Sequence, residues 1–383
     1  MERVEQNPFA ELPEALVEEM LSKNKAVGDK VYEYFNEIKK NRSKIREELQ
    51  KLNILKNDAE VGYAKIPTTC GVDGAYAVER LLGIDFVGCA AVAVEGLTPP
   101  FEKRHWEKPY HGLFISPEKH IPEIGIIIRA LMMQMELELA VRAPHDIVFL
   151  DGSLTTPLVH MNQAVNKVLQ LESEGNPTDI GNKLKEKFEQ FLKDYKTILE
   201  SSRTDKLWVG IPKYTTRREL GNLLSSPYHH DDKAMLTMIL SPGEFTSPIP
   251  LERFNQPWHL ALPFEDRKLE RLRDEVISAI NRIHVMYYKP HKWTPAFRIE
   301  IASSIATNSS RIAILLQGLK YQSFTPEIME PYPLYMADRM VKHFGRALPI
   351  LRQIVTNRMV ELHQDDMGDI FFYMHEYRTE SGS

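Results

Sequence analysis

The 383-residue sequence holds only two cysteines, Cys70 and Cys89, and no CxxC pair, so neither a disulfide framework nor a cysteine-based metal ribbon is available to it. GxGxxG and GxxxxGK[ST] are both missing, which removes the usual glycine-rich phosphate cradles. HExxH and GxSxG are missing too. No apolar run approaches the roughly 20 residues that span a bilayer. The start, MERVEQNPFAELPEAL, is acidic and lacks the basic opening and apolar core of a signal peptide, so the expected location is cytoplasmic, with reduced thiols. Positive charge is also short: Lys and Arg number 48 against 53 Asp and Glu, for a net charge of −5. That argues against a polybasic nucleic-acid binder while leaving room for a local basic channel. No repeat of solenoid length is visible. Hydrophobic residues at 43% and charged residues at 26% are ordinary for a globular protein.

What the chain does have is residues 69–96, TCGVDGAYAVERLLGIDFVGCAAVAVEG. It reads as a β-hairpin, with an apolar run holding Asp73, a turn near residues 82–85 and a second apolar run. A carboxylate in a buried strand is costly unless a cation, a proton or hydrogen bonds compensate it. Gly71, Gly74 and Ala75 leave room for something to approach the backbone closely. Cys70 and Cys89 could face each other across the two strands. The same grammar returns in residues 146–154, DIVFLDGSL, where an apolar strand again ends on Asp-Gly at Asp151. Between them, residues 121–141 are long, free of internal proline and rich in Leu and Met, which predicts a helix docked on the sheet. It carries Glu136 and Glu138 in unusually apolar surroundings, and either one is a candidate third carboxylate.

The rest of the chain is read around that centre. Residues up to about 55 look helical. Val31, Phe35, Ile38, Ile45, Leu49 and Leu52 keep the three- and four-residue steps of an apolar seam, suited to a partner helix or to the chain's own domain. The expected organisation is an N-terminal helical region, 1–60, for dimerisation or partner contact, followed by an α/β domain over 61–383. Residues 157–200 read as helical with a break at 172–177, and the Lys-rich run 183–196 as a solvated helix face. Residues 207–220 read as a short strand, then a loop holding Lys213, Arg217 and Arg218, the best candidates for local phosphate contact. Residues 229–232, His-His-Asp-Asp, tempt as a metal cluster, but consecutive residues rarely converge on one ion and a loop is the plainer reading. Residues 282–303 suggest a second hairpin in which Arg298 and Glu300 share a face, as a structural ion pair or as site residues. Residues 304–319 predict a helix, residues 332–344 begin another carrying Asp338, and the tail HEYRTESGS reads as frayed.

Oxygen-only ligands suit hard ions such as Mg²⁺ or Mn²⁺. Two such ions about 4 Å apart activate water and stabilise the leaving oxygen of a phosphodiester. Acids on neighbouring strands plus one on a helix is the arrangement of ribonuclease-H-like nucleases. The fold expected is therefore α/β, with a mixed central sheet flanked by helices and a long N-terminal helical extension.

The ordered series VDGAY, MELELA, FLDGSL, a strand followed by Lys213, DKAMLTMILSPGE, FRIE and YPLYMAD resembles the NurA nucleases, partners of the hexameric ATPase HerA. The resemblance implies a ribonuclease-H-like fold, a ring-like dimer with long N-terminal helices and Mn²⁺-dependent DNA cleavage. It implies metal-binding roles for Asp73 and Asp151, with Glu136 as the helical glutamate and Glu138 its competitor. Lys213, Arg298 and Glu300 match recurrent polar positions near the site, with Lys213, Arg217 and Arg298 the expected nucleic-acid contacts. Where the family has Ala-His after the YP segment, this chain has Ala337-Asp338. Asp338 then serves as the ligand, or His343 one turn later supplies the imidazole, or activity is weakened. The expected activity is 5′→3′ exonuclease with some single-strand endonuclease action, in DNA end processing or defence. The alternative is a non-catalytic adaptor of the ATPase.

Overall fold

The computed structural model describes residues 12–62, 64–98, 104–224, 231–252, 256–363 and 367–375. The His229-His230 pair and the end of the tail lie outside these residues. Helix α1 (Glu14–Lys51) leads into strand β1 (Leu55–Asn57), then β2 (Thr69–Arg80) and β3 (Asp85–Glu95) form the expected hairpin. The order continues with β4 (Tyr110–Glu118), α2 (Ile124–Arg142), β5 (Ile147–Asp151), α3 (Thr156–Ser173), α4 (Asp179–Glu200) and β6 (Leu207–Ile211). Next come α5 (Asp232–Ile239), β7 (Glu244–Thr246), β8 (Ile249–Pro250), α6 (Arg267–Ile280), β9 (His284–Tyr288) and β10 (Phe297–Ile301). The chain closes with α7 (Ser303–Ala306), α8 (Ser309–Gln322), α9 (Tyr332–Lys342), α10 (Phe344–Leu362) and α11 (Met367–Tyr373).

Among the described residues the strands form one ten-stranded sheet in the order β1-β7-β9-β10-β6-β5-β2-β3-β4, with β8 paired to β9. β5 is parallel to both β2 and β6, and the other pairings are antiparallel, so the sheet is mixed as expected. Strand alternation sorts the central residues onto two faces. Cys70, Val72, Val148, Leu150 and Trp208 join a large core with α2, α3 and α4. Ile147, Phe149, Leu207 and Val209 join a second core with α8 and Leu334 of α9. α2 is apolar almost all round because it lies between the sheet and helices α3 and α4, which leaves it little exposed face.

Several elements depart from the sequence reading. β4 was not anticipated: it ends the sheet with one partner strand among the described residues, and its burial alternates weakly. The helix expected over 304–319 is two, parted where Asn308 caps α8 by accepting from Arg311 N. The seam of α1 divides: Ile38, Ile45 and Leu49 are buried, whereas Val31, Phe35 and Leu52 are exposed. Arg46 pins the buried half through a two-pronged bond to Glu244 at 2.7 Å. The two thiols do not face each other. Cys70 pairs in register with Glu95 and Cys89 with Tyr76, six positions along the ladder, and both are free.

Candidate metal centre

Val72 and Leu150 are register partners on parallel strands, so Asp73 and Asp151 follow them at the same level. Both fall on the face covered by α9, because side chains on neighbouring strands share a face when they share a level. Gly71 lets that helix come close: a Cβ there would lie 2.4 Å from the backbone carbon of Pro333. The close approach brings Asp338 down from α9. Carboxylate oxygens of Asp73, Asp151 and Asp338 all lie within 4.8 Å of one another, the one such acidic group among the described residues. Directly after Asp151 the chain turns at Gly152, whose φ of +91° favours glycine.

Glu136 approaches from the opposite side. A Cβ on Gly74 would meet its Oε1 at 2.4 Å, so the glycine makes room for it. Burial, then the charges of Asp73 and Asp151, push its carboxyl well above the ordinary range. It is a near neighbour of the three aspartates rather than a member of their group. Glu138 is a correction. Two residues further round a helix it points elsewhere, and it is engaged by Gln134 at 3.0 Å, Arg142 at 3.4 Å and Lys187 at 3.6 Å.

Lys213 lies two residues beyond Ile211, the register partner of Asp151. Its Nζ sits 3.1 Å from Asp151 Oδ2, 3.2 Å from Asp338 Oδ1 and 3.3 Å from Glu330 Oε2. Lys233 fixes the local backbone by donating to the carbonyls of Pro212 at 3.1 Å and Lys213 at 2.5 Å. Glu330 was missed by the sequence reading. It lies just before α9 among prolines, and only the fold brings it to Lys213.

The electrostatics follow from crowding. Burial first, then Asp151, lift the Asp73 carboxyl to about 7 despite Lys213 and a 2.8 Å bond from Gly74 N. Burial likewise lifts Glu330. Asp338 goes the other way: burial is overcome by bonds from Lys342 and Lys213, which hold it below its usual range. For Lys213 burial opposes the charge, but Asp151 and Glu330 prevail and raise its affinity for its proton. Three converging oxygen donors, one of them pressed to keep a proton, fit a hard divalent cation.

Other expected contacts fall elsewhere. Arg298 is not available to nucleic acid: it is 1% exposed, forked onto Glu219 at 2.7 and 2.8 Å, and bonded to Glu300 at 3.1 Å and Tyr287 at 2.6 Å. The structural ion-pair reading of Arg298 and Glu300 holds. Glu300 in turn accepts from Ser153 Oγ at 2.7 Å and Leu154 N at 2.9 Å, steadying the turn after Asp151. Arg217 is half-buried in the loop past Lys213. Of the 229–232 cluster the described half is spent on structure: Asp231 caps α5 by accepting from Ala234 N, and Asp232 is buried, accepting from Leu220 N and Gly221 N. His343 is exposed at the end of α9, so the place beside Asp73 and Asp151 belongs to Asp338.

The family model described as the NurA domain matches residues 67–343. The crystal structure of the NurA nuclease from Sulfolobus solfataricus is similar at a TM-score of 0.56 and 15% identity, over 91% of this chain and 98% of that one. A NurA structure with manganese is similar at 0.56 and 14%, over 88% and 98%. One bound to dAMP and manganese is similar at 0.53 and 14%, over 84% and 93%. At such identities the likeness speaks for the fold. No curated protein matches the chain.

Proposed function

The chain belongs to the NurA family, and on that premise we propose that it is a metal-dependent DNA nuclease. The observation that carries this is the convergence of Asp73, Asp151 and Asp338 within 4.8 Å. These three would hold Mn²⁺ or Mg²⁺, with Glu136 behind them. A bound ion would lower the pKa of water and offset charge on the phosphate. Lys213, already drawn to negative charge, would contact a non-bridging phosphate oxygen, with Arg217 further along the strand of DNA. Burial and the two aspartates push the Glu136 carboxyl well above its ordinary range, and positive charge held on those aspartates would ease its ionisation.

The finer reading is a 5′→3′ exonuclease with single-strand endonuclease activity, working as a homodimer in the cytoplasm with a HerA-like hexameric ATPase. Two features support it. A net charge of −5 gives weak affinity for DNA alone, because neutralising phosphates supplies most non-specific binding, so a motor that feeds DNA would compensate. Leu16, Met20, Val27, Val31 and Phe35 form an exposed apolar row at three- to four-residue multiples on α1, suited to a second copy. In this reading residues 1–60 serve dimerisation and partner contact, and residues 61–383 form the nuclease domain.

The test is degradation of 5′- and 3′-labelled DNA with Mn²⁺, Mg²⁺ or EDTA, with and without the ATPase, for wild type, Asp73→Asn and Asp151→Asn. The expected outcome is metal-dependent cleavage that falls by about a thousandfold or more in each variant. Equal inertness of all three proteins, even with the ATPase, would favour the adaptor role instead.

A further inference from the structure

Lys213 Nζ lies within ion-pair distance of three carboxylates, at 3.1 Å (Asp151), 3.2 Å (Asp338) and 3.3 Å (Glu330), and hydrogen-bonds Asp338. The acceptors are not equivalent. Asp151 and Asp338 belong to the converging group of oxygens, and Glu330 does not. An ammonium and a divalent cation repel at such range in a partly buried site, so a cation on the two aspartates loosens their hold on Lys213. Glu330 is also the acceptor with capacity to spare. Its Oε2 is buried and, though 3.3 Å from Lys213 Nζ, makes no bond of hydrogen-bonding geometry. Its side chain is only 18% exposed.

The neighbouring backbone suits a swing of the side chain alone. Lys233 clamps the carbonyls of Pro212 and Lys213. Pro331, next to Glu330, opens α9, and Pro333 fixes that helix's first turn against Gly71.

We propose that Glu330 is the positioning residue for Lys213, taking over its ammonium when a divalent cation occupies Asp73, Asp151 and Asp338. The inference rests on the metal-centre reading above. Glu330 thereby prevents Lys213 from competing for the aspartates, and holds the ammonium at the rim where a phosphate arrives. Without Glu330, Lys213 falls back onto Asp151 and Asp338.

A double-mutant cycle read by calorimetric Mn²⁺ binding tests this without DNA. Glu330→Gln should weaken Mn²⁺ binding about tenfold in the otherwise wild-type chain, a size typical of residues that act through a ligand's neighbour. In the Lys213→Met background the same change should cost less than about threefold, because the competitor is gone. Glu330→Asp, which keeps the acceptor, should recover most of the affinity. Equal weakening by Glu330→Gln in both backgrounds would overturn the proposal and make Glu330 a ligand in its own right. Mn²⁺ binding by none of the proteins would overturn the metal-centre reading together with it. Normal binding cycles with no cleavage of DNA would instead count against the nuclease reading alone.

Discussion

Arg298 and Asp73 are both charged residues on central strands of one sheet, yet their surroundings treat charge in opposite ways. Around Arg298 the accounts close: its fork meets Glu219, its Nε meets Glu300, and Tyr287 takes a further bond. Burial would raise Glu219, but the bonds from Arg298 outweigh it and hold the carboxyl below its usual range. Around Asp73 the accounts do not close. Asp73, Asp151, Glu330 and Asp338 crowd near Lys213 with Glu136 behind Asp73 and Asp151; Asp73 is driven to about 7, and burial with those two aspartates pushes the Glu136 carboxyl well up. Buried charge by itself is therefore no sign of function. Buried charge left under-compensated is one, because such a site gains by binding something of opposite sign. The two regions are joined through Glu300, which holds the turn after Asp151.

Breaking the closed region should cost most. Arg298→Met leaves Glu219 and Glu300 buried without the cation that pairs them, and is expected to destabilise the protein by about 3–5 kcal/mol in denaturant unfolding. Stability equal to wild type would show that the network is not a scaffold, and would remove the contrast.

The open region should show its frustration in its pH dependence. In the metal-free folded chain Asp73 titrates near 7, against 3.8 as an isolated carboxyl. The folded state thus binds the extra proton between those values, so this group's contribution is most favourable below about pH 4 and is lost as pH rises through 7. In EDTA, Asp73→Asn should therefore stabilise the protein relative to wild type by about 4 kcal/mol more at pH 8 than at pH 4. Thermal unfolding across that range checks it, and parallel curves for the two proteins would contradict it.

The smallest effect sharpens the border of the site. Glu138→Gln removes pairs with Arg142 and Lys187 that are partly exposed, worth under about 1 kcal/mol. Mn²⁺ affinity should be unchanged in calorimetry. A tenfold loss would put Glu138 back among the ligands.

Much of this was legible from residues alone where one signal dominated. The hairpin showed as two apolar runs around a turn, and it is β2 and β3. The DIVFLDGSL segment showed as a buried strand ending on Asp-Gly, and it is β5 with its glycine turn. What escaped were features defined by partners distant in sequence. Arg298 reads the same whether it faces DNA or Glu219, which lies 79 residues away. Glu136 and Glu138 carry equal local signals, and only the sheet's position against α2 separates them. β4, with a single neighbouring strand among the described residues, needs little hydrophobic pattern and so left little.

The sequence by itself determined the central strands, the helix between them and the acids they carry, because burial period and apolar runs are local and strong. Only the tertiary structure decided which acids meet. Asp338 joins Asp73 and Asp151 because Gly71 admits α9 to the sheet, and Glu330 reaches Lys213 because the same helix begins beside it. Convergence of side chains across more than 100 residues depends on packing distances of a few ångströms, and no local pattern encodes those.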